Sequence, residues 1–424
     1  MNVAFSRRPI PVIVQQHAEE CALLRHVRSV LVRAPHVRLH QLRRLDDRIA
    51  AHLDGLVVAG DYAASLCRAA LERPGAGEIF ACAALALARR DHGAIDRLLS
   101  LAAMLPDAKR GLLSAFGWVS ADLLKGEVAQ WLASGDPLRL ELGLGACRLH
   151  GVDPGAPHIA ALRDKNAGVR IEALRGSAAH GRVDLLDVVR DARHADPPRV
   201  QRHAAIAATV LGDRGAMLGW VVDRAQLDGA DCDVELALAL QASPFDAARK
   251  LLRTLAPGDA TGPSRRLVRA SGWLGDAQLV PWLISLMDDD RLARLAGEAF
   301  STITGAELAT LDLERKPPEG FIGGPSDDPE ADEVGLDEDE SLPWPAQGLV
   351  QRWWRSCADK MPVGQRLFLG QVPSIESARR VLRKGFQRQR IAAARWCCLL
   401  APGTKLFTTA APAWRQQRRL AATP

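Results

Sequence analysis

The chain has 424 residues, 48% of them apolar and 25% charged, enough apolar content to bury large cores and too much for a disordered polymer. Sixty-nine Ala against one Tyr make the composition rich in helix formers and poor in strand formers, which argues against an all-β fold. A net charge of +5 is small for this length, and 47 Arg interleaved with Asp and Glu do not sum to the field that a phosphate backbone needs, which speaks against nucleic acid as partner.

No run of ~18 apolar residues occurs, and the apolar stretch after Arg7 and Arg8 is too short for a secretory signal, so a cytoplasmic protein without membrane association is expected. The eight Cys form no CxxC pair and sit mostly in Ala/Leu-rich stretches, as reduced, buried small residues would.

Residues 1–75 read as an N-terminal helical cap, with one helix from about 14 to 31 and another from about 39 to 58, separated by Pro35. Leu42, Leu45, Ile49, Leu53 and Leu56 form an apolar stripe on the second. Asp46, Asp47 and Asp54 lie beside Arg43, Arg44 and Arg48 at helical spacing, so ion pairs are expected, with a partner-binding role as the alternative. His17 with Cys21 and His36 with His40 have the i, i+4 spacing of metal ligands. No third or fourth ligand converges on either pair, so no metal and no cofactor are expected.

From about 76 to 310 the chain repeats. A glycine, or a residue in its place, follows an Ala/Leu-rich run at Gly151, Gly181, Gly212, Ser243, Gly275 and Gly305, at intervals of 30, 31, 31, 32 and 30 residues. Each run reads as a helix ended by glycine, followed by a second amphipathic run, so each unit is a helix pair and the array is an α-solenoid of HEAT-like repeats. An upstream copy is expected to end at Gly93, and the one near Gly117 breaks the spacing. Trp220 and Trp282 fall in the apolar stripes of second helices, where core packing is favoured over a role in gripping a ligand.

Residues 311–345 are a Pro/Gly-rich linker in which nine of the 14 residues from Asp327 to Glu340 are acidic, a flexible loop by composition. Residues 346–424 are expected to form a small, mostly helical module, opened by Leu342-Pro-Trp344-Pro and containing Trp353, Trp354 and a basic run from Arg379 to Arg390. The acidic and basic blocks are expected to attract each other. The fold class is therefore all-α. No nucleophile elbow, phosphate loop or dinucleotide fingerprint occurs, and no His-Glu dipeptide supplies di-iron ligands, so no catalytic residue is assigned and the chain reads as no enzyme.

The segments QHAEECALL (16–24), RLDDRIAAHLDGLVVAG (44–60), LPWP (342–345), WW (353–354) and GFQRQRIAAA (385–394) together resemble a proteobacterial family of HEAT-like repeat proteins without assigned catalytic residues. The family's genes often stand beside type VI secretion components. The resemblance implies a bacterial, non-enzymatic adaptor or scaffold that holds an effector or spike component of that machine. The alternatives are an immunity protein that neutralises a co-encoded toxin and, in a different class, a nucleic-acid binder or enzyme acting on the concave face. The residues expected to meet a protein partner are Asp46, Asp47, Asp54, Trp344, Trp353, Trp354, Arg388 and Arg390.

Overall fold

A computed structural model describes residues 9–227, 229, 232–256, 263–321 and 337–422. The fold is all-α: 23 α-helices and one two-residue antiparallel ladder, Glu314–Arg315 with Trp344–Pro345, occur among the described residues. No described helix is long and apolar enough to cross a membrane.

The chain forms two compact units. The first contains the described residues up to Ala207, Leu382–Ala394 and those from Gly403 onward; the second contains those of Ala208–Val381 and Arg395–Pro402. Residues 346–424, expected as one module, are thus shared between the two units.

In the first unit Pro11–Leu31 and Leu39–Ala59 form a hairpin. The stripe Leu42, Leu45, Ile49, Leu53 and Leu56 is buried, as its spacing requires. Ala76–Arg89, Pro106–Trp118, Pro137–His150 and Ala167–His180 then pack each on the next. The copy expected to end at Gly93 ends earlier, because Arg90 takes the left-handed conformation (φ 54°) and Asp91 caps the following helix, His92–Met104, through the amide of Ala94. Gly93 and Gly117 both lie inside helices.

In the second unit Asp233–Ala242, Arg265–Leu274 and Ala293–Thr304 pack in the same serial way. The second helices of its pairs include Ala216–Ala225, Phe245–Thr254 and Val280–Ser285, and Pro281 sits in the first turn of the last, where its missing N–H costs nothing. Gln347–Cys357 packs on Val280–Ser285, with Val350 fully buried and Trp353 edge-on to Phe300 at 5.6 Å. It covers the end of that unit's core and keeps those apolar side chains from water.

Helix C-termini leave carbonyls without intrahelical donors and carry the negative end of the helix dipole. From Ser377 to Pro424 the sequence has eleven Arg or Lys and no Asp or Glu. Arg415, Arg419 and the Leu406 amide from this stretch, and residues 366–370 before it, lie on such helix ends. In the first unit Arg415 donates to the carbonyls of Gly117 and Val119 (2.8 and 3.1 Å), Arg419 to that of His150 (2.7 Å), and the Leu406 amide to that of Ala179 (3.1 Å). In the second, Arg366 donates to the carbonyls of Gln241 and Ser243, and the amides of Leu367, Leu369 and Gly370 to those of Gly275, Thr302 and Ile303.

Candidate functional site

The predicted partner-binding residues divide into those the fold consumes and those it leaves outside. Asp46 is fully buried; it accepts from Arg28 Nε at 2.6 Å and from the Ala413 amide at 2.6 Å. Arg390 is also fully buried, donating to the Leu382 carbonyl at 2.7 Å and to Gln416 at 2.5 Å, with Gln387 as a third partner. Burial pushes its guanidinium down to about 10. Gln387 and Gln416 both donate to the Thr409 carbonyl, so Asp46, on the first hairpin, and Arg390, through these two glutamines, hold the same stretch, residues 409–416. Neither side chain can meet a partner from inside the unit. That expectation is corrected: a charge enclosed with this many hydrogen bonds is structural.

Asp47 lies outside, paired with Arg43 at 2.7 Å as its i, i+4 spacing predicts, and Asp54 is exposed. Arg388 is half-buried, its Nε donating to the Arg33 carbonyl at 3.2 Å. Trp353 and Trp354 are half-buried against the second unit's core, as is Trp282. His17 meets His52 (Nδ1 to Nδ1, 3.0 Å), while Cys21, which shares its helix face by spacing, points into the core. Among the described residues no group of three or more His, Cys, Asp or Glu is placed to hold a metal ion.

The cluster that sequence reasoning missed is in the second unit. Arg265 and Arg269 on Arg265–Leu274, with Arg294 on Ala293–Thr304, face Asp337, Glu338 and Asp339. Arg265 donates to Asp339 at 2.7 Å, Arg269 to Glu338 at 3.0 Å, and Arg294 to Asp337 at 2.7 Å and to the Asp339 carbonyl at 3.0 Å. Asp233 takes Arg269 from the other side at 3.0 Å. The Arg294 guanidinium lies over two rings, Phe321 at 4.9 Å and Trp344 at 4.7 Å, and Arg315 gives Trp344 a second cation at 5.2 Å. Trp344 is therefore a wall of this cluster, 7% exposed.

Burial alone would raise the Asp337 carboxyl, but the hydrogen bonds from Arg294 and the Asp339 amide, with the charges of Arg294 and Arg265, outweigh it and hold the group below the usual range. For Arg269 burial opposes the charge, and Glu338 with Asp233 more than compensates, so its guanidinium is raised. The acidic block was expected to lie against the basic run 379–390. Of its described part, residues 337–340, Asp337, Glu338 and Asp339 instead pair with arginines of Arg265–Leu274 and Ala293–Thr304; residues 322–336 lie outside the described residues. The legible signal was Ser-Arg-Arg-Leu-Val-Arg (264–269), three cations on one short helix with no acid beside them.

No known protein family, no curated protein and no solved structure matches the chain.

Proposed function

We propose that the chain is a non-enzymatic scaffold of HEAT-like helix pairs that holds a protein partner, and that it serves as an adaptor for an effector or spike component of a type VI secretion system. The observation that carries the scaffold reading is the serial packing of first helices within each unit, with their C-terminal ends fixed by the chain's own C-terminal residues. Serial helix pairs whose ends are tied present a preformed surface, so little ordering entropy is lost when a large partner docks. The secretion assignment is supported by the resemblance of residues 16–24, 44–60, 342–345, 353–354 and 385–394 to that family.

The test is co-expression of the tagged full chain with the spike, adaptor and effector products of a type VI cluster, followed by size exclusion. One of them should co-elute in fixed stoichiometry, and the complex should weaken when charge is reversed at the exposed carboxylates Asp47 and Asp54. Elution of the chain alone in every combination would sink the secretion assignment. Turnover of a small molecule by the purified chain would overturn the scaffold reading itself.

A further inference from the structure

We infer that Arg265, Arg269 and Arg294 form a cradle that recognises an acidic peptide segment, and that in this chain Asp337–Asp339 fill it in cis. The inference deepens the scaffold reading by naming the chemistry of a partner, and rests on it only for the cradle's biological use.

The cradle has the parts such a site requires. Three guanidiniums from two adjacent helices converge on consecutive carboxylates, each reached by a hydrogen bond of 2.7–3.0 Å. Guanidinium donors present a planar fork suited to carboxylates, and the Arg294 guanidinium is enclosed by Phe321 and Trp344, 4.9 and 4.7 Å from their centroids, which restricts where it can point. Arg294 is 8% exposed and Asp339 1%, so both act where water screens least.

The cis segment fills the cradle without satisfying it. The Nε atoms of Arg269 and Arg294 and Oδ1 of Asp339 are buried with no hydrogen-bond partner among the described residues. Each such group has given up water without a replacement, so a segment whose carboxylates reach the two Nε donors has free energy to gain by replacing the cis one. The rim offers the way in: Glu338 is 64% exposed and Arg265 41%, whereas Asp339 is enclosed. An acidic peptide would first displace Glu338 from Arg269 and then compete for Arg265.

The probe is a fluorescein-labelled hexapeptide with the chain's own acidic sequence, Leu-Asp-Glu-Asp-Glu-Ser, read by anisotropy against the full chain. The triple variant Asp337→Asn, Glu338→Gln, Asp339→Asn should bind it at least about tenfold tighter than the natural chain, because the cis competitor has lost its charge. The affinity should fall with added salt, and fall again when Arg269→Gln is introduced into the triple variant. A cooperatively melting triple variant that binds no tighter than the natural chain would overturn the inference, as would binding indifferent to Arg269→Gln. If the triple variant fails to fold, Glu338→Gln alone, at the exposed rim, must still raise peptide affinity; no change there overturns the inference equally. Equal binding of a thymidine oligonucleotide of matched charge would reassign the cradle to phosphates and sink the acidic-peptide reading. Because the peptide is synthetic, failure here leaves the co-expression result to stand or fall separately.

Discussion

The amide of Leu367 donates to the carbonyl of Gly275 at 2.7 Å, and a Cβ on that glycine would fall on the Leu367 carbonyl oxygen. Gly275 thus does two things at once. Its left-handed backbone (φ 76°) ends Arg265–Leu274, and its bare Cα lets another strand of chain lie against the helix end. Gly305 repeats the arrangement one unit later, where a Cβ would stand 2.7 Å from the Leu369 carbonyl oxygen.

Gly275→Ala should therefore cost more than its dihedral angle alone. A side chain at positive φ costs about 1 kcal/mol, and pushing Leu367 away adds an overpacking cost of about 1–3 kcal/mol. Gly364→Ala is the internal control: it also has positive φ (74°), but nothing lies within 4 Å of its Cβ position. Urea unfolding of both variants should place Gly275→Ala clearly below Gly364→Ala. Equal midpoints would mean that the glycine serves only the turn.

Asp46→Asn should destabilise the first unit by about 3 kcal/mol, since it removes one partner of a buried ion pair and leaves Arg28 half-enclosed without its counter-charge. Asp47→Asn, one residue along and outside, should change stability by less than about 0.5 kcal/mol. Chemical denaturation of the pair measures the contrast, and similar midpoints would contradict the buried assignment.

Parts of this architecture were legible in the sequence and parts were not, for physical reasons. The thirty-residue spacing was readable because glycine at a helix end leaves a mark in the sequence itself. The docking of the C-terminal residues was not, because its acceptors are backbone carbonyls, which any residue supplies. Asp46 and Arg390 stand among the residues expected to meet a partner, yet the periodicity holds a contrary signal: Asp46 is four after Leu42 and three before Ile49, and Arg390 is three and four before Ala393 and Ala394, all buried. A charge on the apolar stripe of a helix points inward. The Arg cluster 265–269 showed as three cations on one short helix, but not what it pairs with, since its counter-charges lie 36 residues earlier at Asp233 and 69 to 74 residues later at Glu338 and Asp339.

Trp353→Ala combined with Trp354→Ala should lower the melting temperature, because the edge-on Phe300 contact and the cover over the second unit's core go with the rings. Half-buried aromatic deletions of this kind cost about 2–4 kcal/mol together. Differential scanning calorimetry reads the effect. An unchanged melt with lost partner capture would make the rings interface anchors instead.

Stability should fall in mild acid through His158. Its ring is 1% exposed, and burial, with His180 and Arg182 nearby, pushes its pKa down to about 4, against the opposing pull of Asp153 and Asp184. The Ser177 hydroxyl donates to the Ala173 carbonyl, so His158 Nε2–H donates to Ser177 Oγ at 2.9 Å, and burial favours the neutral ring in that position. The folded pKa lies below the unfolded value, so the unfolded state takes up the proton first. The contribution is complete above about pH 6.5 and is lost as pH falls through about 4, up to about 3 kcal/mol. His150 and His180 are lowered by burial too and act in the same direction. His158→Gln, which keeps a donor for Ser177 but cannot charge, should flatten the pH 7 to 5 portion of the unfolding curve. A variant with the natural slope would remove His158 from the account.

Ser243 is the one position in the regular part of the array where glycine is missing, and Arg366 explains why none is needed. Asp233–Ala242 ends with Ser243 in an extended conformation (φ −73°, ψ 153°), and the Arg366 guanidinium, lying over Phe245 and Trp396, donates to the carbonyls of Gln241 and Ser243 at 3.2 and 3.0 Å. A side chain does here what a close backbone does at Gly275, and a side chain reaching in does not require the helix end to be bare. Ser243→Gly should then gain nothing and cost about 0.5–1 kcal/mol in backbone entropy, whereas Arg366→Lys should cost about 2 kcal/mol, since an ammonium can neither span two carbonyls as a fork nor stack between rings. Urea unfolding of the two variants decides the matter: a stabilised Ser243→Gly beside a neutral Arg366→Lys would show that this helix end follows the same rule as its neighbours and that the guanidinium is incidental.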